Sequence, residues 1–70
     1  MQSRIEILSH LVRNARKEQG LTQEQLAVAS GVGVRFIRDL ERGKESCQIG
    51  KILHVLAMLG LDIQIDDKKL

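Results

Sequence analysis

Four side chains near the middle of the chain carry groups that can read the edges of nucleic-acid bases. In the segment VRFIRDLERG, one helical turn separates Val34 and Arg35 from Arg38 and Asp39, so a helix presents all four on nearly one face. An arginine guanidinium can bridge O6 and N7 of guanine, and a valine can contact the methyl group of thymine. Asp39 can accept a hydrogen bond from cytosine N4, or it can orient Arg35 four residues earlier. Either arginine could instead meet a phosphate or solvent.

Residues on both sides of this segment suit contacts with a phosphate backbone. A helix that begins near Gln23 has free backbone N–H groups at its N-terminus, and these favour an anion. Arg42 and Lys44 supply cations at the other end, while the Thr22 hydroxyl could serve a phosphate or simply cap a helix. We predict phosphate contacts at Thr22, Gln23, Arg42 and Lys44.

The residues that must position these groups follow a helix-turn-helix pattern. The sequence predicts two short helices, over about residues 23–29 and 34–42, joined by a tight turn. A small residue stands where the helices cross, a glycine four residues later supplies the positive φ of the turn, and aliphatic residues line the second helix. These pattern residues are Ala27, Gly31, Val32, Ile37 and Leu40.

Two further helices frame the pattern. Ser3 with Glu6 forms a capping box that starts a first helix, and Gly20 ends it. Ser46 is the expected N-cap of a fourth helix, which Gly60 closes.

An ion pair is predicted between Arg16 on the first helix and Glu41 at the end of the third. It would fix the angle of the reading helix rather than contact nucleic acid. Removing one side of a partly buried pair costs more free energy than the pair itself contributes.

The C-terminal segment changes from helical periodicity to alternation. Leu61, Ile63 and Ile65 alternate with polar residues, which predicts a strand over residues 61–66. A lone strand leaves its edge unpaired, and the same strand of a second copy is the simplest partner. We therefore predict residues 1–60 as the helical domain, residues 61–66 as a dimerisation strand and residues 67–70 as a flexible tail.

Composition and charge narrow the possible functions. The chain has 70 residues and a net charge of +2, enough for one small domain. Residues 1–44 hold eight Lys or Arg and five Asp or Glu, a balance of +3, whereas residues 45–70 hold three and four, a balance of −1. This excess of positive charge beside the helix-turn-helix pattern suits a phosphate backbone, although a solvated surface of mixed sign would also account for it.

Catalysis, a cofactor and a membrane location are not expected. His10 and His54 are far apart, and neither has metal-ligand spacing with Cys47, the single cysteine. The chain has no glycine-rich phosphate loop, no apolar run of 18 residues and no basic segment before a long apolar stretch. These features predict a cytoplasmic protein that has no metal and is not an enzyme.

Two short segments carry a family resemblance. GLTQEQLA at residues 20–27 and ERGK at residues 41–44 resemble hallmark segments of the lambda-repressor-like, or Xre-type, helix-turn-helix family, over residues 11–60. In that family the arginine before the first segment pairs with the glutamate of the second, which corresponds to Arg16 and Glu41. Gln23 resembles the family's glutamine that contacts phosphate and base edges. Gly33 departs from the usual Ser or Thr cap of the third helix, and Glu45 replaces a common Pro.

The segments VGVRFIRDLERGK and CQIGKILHVLAMLGLDIQI resemble, more narrowly, small antitoxins of the HipB and Y4mF groups. The resemblance implies a dimer that represses its own operon and binds a HipA-type serine/threonine kinase toxin. It also implies that LGLDIQI pairs across the dimer.

These observations together predict an all-α, lambda-repressor-like helix-turn-helix domain of four to five short helices with a C-terminal β-strand pairing in a homodimer. The predicted function is sequence-specific repression at a palindromic operator on double-stranded DNA, as the antitoxin of a toxin-antitoxin operon. Two alternatives stay open at this point. The chain could be a free-standing repressor without a toxin, or a kinase-binding inhibitor with weak DNA binding.

Overall fold

Four helices are followed by a two-stranded hairpin in the computed structural model, which describes residues 2–70. Four helices and a C-terminal strand are the architecture that the sequence predicts. The elements are α1 (Arg4–Glu18), α2 (Gln23–Ser30), α3 (Val34–Glu41), α4 (Ile49–Met58), β1 (Gln64–Ile65) and β2 (Lys68–Lys69).

Side-chain caps begin the first two helices where the sequence places them. The Ser3 hydroxyl accepts a hydrogen bond from the backbone N–H of Glu6 at 3.2 Å. The Thr22 hydroxyl accepts from the backbone N–H of Gln25 at 3.0 Å, and the Gln25 amide oxygen accepts in return from the Thr22 N–H at 2.9 Å. Both caps satisfy N–H groups that have no partner within the helix.

The turn between α2 and α3 depends on Gly31. This residue has φ +71°, a left-handed conformation that a side chain disfavours. The next N–H, that of Val32, donates to the Ala27 carbonyl at 3.0 Å and so closes the end of α2. The turn therefore sets the direction in which α3 leaves α2.

The core is aliphatic and lies between the helices. Val12, Leu26, Ile37, Leu40 and Val55 are fully buried, and they come from all four helices. Around them pack Ala27, Ile52, Leu56 and Leu59, with Phe36 half-buried at the edge. Because Ile37 and Leu40 belong to α3, the core holds one face of α3 and leaves the opposite face exposed.

The start of α4 differs from the expectation. Ser46 is not its N-cap, because the helix begins at Ile49 with Gln48 at the cap position, where no side-chain cap bond forms. Cys47, which lies between Ser46 and Gln48, is partly buried and packs against the core. Burial raises the pKa of the Cys47 thiol above its usual value.

The C-terminal segment is a hairpin within one chain rather than a single strand. Gln64 pairs with Lys69 and Ile65 with Lys68 in antiparallel register, and the Leu70 N–H donates to the Ile63 carbonyl at 2.9 Å. The turn residues Asp66 and Asp67 have φ of +49° and +70°, as a two-residue hairpin turn of the primed type requires.

Two expectations for this segment are therefore corrected. The strand is shorter than residues 61–66, and its partner in this chain is Lys68–Lys69, which belongs to the segment expected as a flexible tail. Asp tolerates the left-handed conformation, so the chain can reverse at Asp66 and Asp67. Of the three predicted dimerisation residues, Leu61 and Ile63 pack against the core of their own chain, while Ile65 is exposed.

Within residues 2–70, no helix has both the length and the apolar character needed to cross a membrane. Over the same residues, no three His, Cys, Asp or Glu side chains lie together as a metal site would need.

Candidate nucleic-acid interface

The exposed face of α3 begins with two unlike residues. Val34 is half-buried and packs against the core, so only part of its side chain is available to a base. Arg35 is exposed, and it forms no ion pair with any residue between 2 and 70. The Arg35 guanidinium therefore keeps all of its donors for an incoming ligand.

Arg38 lies one turn further along the same face. Its Nη2 atom is 3.7 Å from Oε2 of Glu24 on α2, and both side chains are mostly exposed. Ion pairs of this kind contribute little to stability and exchange readily with solvent. Arg38 can thus leave Glu24 for a base or a phosphate at low free-energy cost.

Asp39 pairs with the cations that follow it, and not with Arg35. Its Oδ1 atom accepts from Arg42 Nη2 at 2.7 Å, and its Oδ2 atom accepts from Lys44 Nζ at 3.4 Å. The hydrogen bond from Arg42 is the main cause that holds the pKa of the Asp39 carboxyl below its usual value, with Lys44 contributing. The structure therefore does not support the interpretation that Asp39 orients Arg35.

Arg16 and Glu41 form the ion pair that the sequence predicts. Arg16 Nε donates to Glu41 Oε2 at 2.6 Å and Nη2 donates to Oε1 at 3.0 Å. Only 10% of the Arg16 side chain and 4% of the Glu41 side chain are exposed. The hydrogen bond from Glu41 raises the pKa of the Arg16 guanidinium above its usual value, against the opposing effect of burial.

This pair joins three helices. The Nη1 atom of Arg16 donates to the Leu21 carbonyl at 2.8 Å, just before α2 begins. Gln23 Nε2, in the first turn of α2, donates to Glu41 Oε1 at 3.2 Å. Sequence reasoning missed both of these contacts, because each depends on how the ends of the helices meet in space. The network holds the start of α2 and the end of α3 against α1.

Most of the residues predicted to contact DNA line one shallow cleft. It is lined by Gln23, Arg35, Arg38, Asp39 and Arg42. Three guanidinium groups and one carboxylate give this cleft a net positive charge, which suits an anionic ligand.

The other predicted contacts lie outside the lining of this cleft. Val34 packs on the core, and Lys44 follows the end of α3. The Thr22 hydroxyl accepts the Gln25 N–H as a cap, and its own O–H group remains able to donate to a phosphate.

An exposed helix that carries arginine side chains and is joined to a second helix through a glycine turn defines a helix-turn-helix DNA-binding domain. The sequence model of the helix-turn-helix family matches residues 12–64 of this chain. The chain belongs to this family, the Xre-type helix-turn-helix proteins, which are DNA-binding transcription regulators.

One curated relative is an uncharacterized HTH-type transcriptional regulator, y4mF, from Sinorhizobium fredii (strain NBRC 101917 / NGR234). It is 60% identical over 55 residues, which are 79% of this chain and 72% of the relative. The name of this relative assigns it no operator and no partner.

Two solved structures have a similar fold. A mutant of the restriction-modification controller protein C.Esp1396I has a TM-score of 0.74 and 29% identity, and the match covers 87% of this chain and 78% of that one. A chain of the HipA-HipB-O2-O3 complex has a TM-score of 0.82 and 22% identity, and the match covers 99% of this chain and 97% of that one. At 22% identity the second similarity shows the fold alone.

Proposed function

We propose that this protein is a dimeric repressor that binds a palindromic operator in its own promoter. The observation that carries the proposal is that Arg35, in the first turn of an exposed α3 and within a cleft of net positive charge, has no ion-pair partner among residues 2–70. Arg35 gives up no ion pair with these residues when it binds guanine, so its donors can bridge O6 and N7 without that cost. Arg38 is the second base reader, and Gln23, Thr22, Arg42 and Lys44 contact the backbone.

Operator binding is tested by selection from a pool of random duplexes of about 30 base pairs, long enough for two half-sites one helical turn apart. We expect enrichment of an inverted repeat, and a footprint over a similar repeat upstream of the protein's own gene. The control is Lys68→Ala, which removes one exposed positive charge from the hairpin and should select the same repeat. A pool that gains no consensus would refute sequence-specific repression.

The dimer in this proposal uses the outer edge of β1. Ile63 and Ile65 direct their backbone groups toward β2, so the backbone N–H and C=O of Gln64 point away from the hairpin. Pairing of two such edges would join two hairpins into one four-stranded sheet and cover the exposed Ile65.

Proline substitution separates the two edges of the hairpin. Gln64→Pro removes the outward N–H of β1, whereas Lys69→Pro removes the outward N–H of β2 on the opposite edge. Analytical ultracentrifugation should find Gln64→Pro largely monomeric and Lys69→Pro dimeric. Truncation after Gly60 should also give a monomer. A truncated protein that still sediments as a tight dimer would exclude the hairpin as the interface.

We further propose that this repressor is an antitoxin, which acts in the cytoplasm and binds a HipA-type serine/threonine kinase. Its support is the similarity in fold to a chain of the HipA-HipB-O2-O3 complex, together with the HipB-like sequence of residues 47–65. The test is affinity capture from the source cell with and without nuclease. A kinase that stays bound after nuclease treatment supports the antitoxin role.

Two alternative functions give different outcomes in the same experiments. If capture yields no kinase while operator selection succeeds, the chain is a free-standing repressor. If a kinase is captured and selection finds no consensus, the chain acts mainly as a kinase-binding inhibitor.

A further inference from the structure

One residue, Asp39, holds both cations at the end of α3. Its main-chain carbonyl accepts from the backbone N–H of Arg42 at 3.2 Å and of Lys44 at 3.0 Å. Its carboxylate accepts from the side chains of the same two residues. Gly43, with φ +81°, makes this double contact possible, because it turns the chain back toward Asp39 in a Schellman closure.

The two cations are held at one point and are otherwise open to solvent. The Asp39 side chain is 14% exposed, whereas those of Arg42 and Lys44 are 76% and 54% exposed. Among residues 2–70, Asp39 engages only the Nη2 nitrogen of Arg42, so Nε and Nη1 remain able to donate. Each cation could therefore bind a backbone phosphate without displacing Asp39.

Tethered cations differ from mobile ones in what they can recognise. A mobile lysine or arginine can neutralise a phosphate on any sequence and in any register, whereas a fixed one meets its phosphate only in the docked geometry.

We propose that Asp39 is a positioning residue that determines specificity: it orients Arg42 and Lys44 toward two backbone phosphates and weakens binding to DNA outside the operator. This role replaces the interpretation that Asp39 reads cytosine. The proposal rests on the proposed function, since it assumes that this face of α3 binds DNA.

The central experiment compares Asp39→Asn with Asp62→Asn. Asp62 also has an ion pair with a lysine, Lys69 at 3.6 Å, but it lies beside the hairpin, so the control makes the same change of charge elsewhere. The probes are a duplex that the wild-type chain selects from the random pool and a scrambled duplex of equal composition. Affinities are measured by fluorescence anisotropy over a range of salt concentrations.

Asp39→Asn should lower the ratio of selected to scrambled affinity about five- to tenfold, a size typical of coupled neighbouring residues. It should also steepen the salt dependence on the scrambled duplex, because the freed cations release more counterions. Asp62→Asn should leave the ratio unchanged. Thermal melting of each variant separates these effects from lost folding, because partial unfolding lowers both affinities together. A ratio unchanged in Asp39→Asn overturns the proposal.

A double-mutant cycle separates positioning from base reading. In a chain that carries Arg42→Gln and Lys44→Gln, adding Asp39→Asn should change the ratio no further, because Asp39 acts through those two cations. An undiminished effect in that background, confined to duplexes with cytosine at one position, would establish Asp39 as a base reader and overturn the proposal. If the wild-type chain selects no duplex at all, the proposed function fails and this inference fails with it.

Discussion

The two ends of α3 are built differently. At its start, Gly33 provides no side-chain cap and Arg35 has no ion-pair partner among residues 2–70. At its end, Glu41 is buried in a network with Arg16 and Gln23, while Asp39 holds two cations. The same short helix thus has an open first turn and a last turn fixed by ion pairs.

This difference indicates that the two ends of α3 have different roles in DNA binding. A base reader needs uncommitted donors, since any internal partner would have to be given up on binding. The angle of the helix, in contrast, must be set before DNA arrives, because a small tilt moves every contact on the exposed face. The fixed end therefore aims the helix, and the open end reads the bases.

The largest expected effect comes from removing the buried ion pair at the end of α3. Glu41→Gln leaves the buried Arg16 guanidinium without its counter-charge, and loss of one partner of a buried pair costs roughly 3–5 kcal/mol. A domain of this size has a total stability of roughly 4–10 kcal/mol, so the variant should lose about a third of that stability or more. Urea unfolding followed by circular dichroism measures the change.

The matched control is Glu24→Gln, which removes the same charge from the exposed pair with Arg38. It should cost less than about 1 kcal/mol. If both variants unfold at the same urea concentration, the buried network does not hold α3.

A smaller effect is expected at the open end, and on recognition rather than stability. Arg35→Ala should lose roughly 1–3 kcal/mol of discrimination at one base position of the selected duplex, because it removes a bidentate contact to guanine. Lys44→Ala should weaken binding equally to the selected duplex and to its single-base variants, because all of them dock in the same register and a phosphate contact carries no base information. Gel shifts at fixed salt, over a panel of single-base substitutions, distinguish the two patterns. The reverse pattern would show that the assignments are exchanged.

The smallest effect should come from adding a side-chain cap at the start of α3. Gly33 has the extended backbone of an N-cap, and an added Cβ would meet nothing within 4 Å. Gly33→Ser should therefore supply the missing cap oxygen and raise stability by a few tenths of a kcal/mol, about the known difference between Ser and Gly at this position. Gly33→Ala is the control, and it should lower stability because it adds a methyl group without an acceptor. Equal unfolding midpoints for the two would mean that no cap bond forms.

Much of the framework could be predicted from local sequence. Ser3, Thr22 and Gln25 are side chains that bond to backbone groups three residues away, so a pattern of residue types is enough to identify them. Gly31 is equally local, because the positive φ of its turn restricts the residue type. The aliphatic spacing of α3 predicts its buried face for the same reason.

Only part of the hairpin could be predicted from local sequence. Alternating apolar residues predict a strand over residues 61–66, of which the structure forms only Gln64–Ile65. Lys68 and Lys69 carry no apolar alternation, so their strand is not predicted. The available signal was the Asp66–Asp67 pair, because two residues that tolerate positive φ can close a two-residue turn.

The sequence by itself determined the helix-turn-helix framework, its caps and the pairing of Arg16 with Glu41, because these depend on periodicity, on local hydrogen bonds and on one complementary pair of charges. Only the tertiary structure decided that Asp39 binds Arg42 and Lys44, and that Gln23 joins the Arg16–Glu41 network. It also decided that Arg35 has no ion-pair partner among residues 2–70. For each of these side chains, the sequence offers more than one possible hydrogen-bonding or charged partner at a suitable spacing. The choice among them depends on where the turn after α3 and the ends of the packed helices place each group, and sequence spacing does not contain that information.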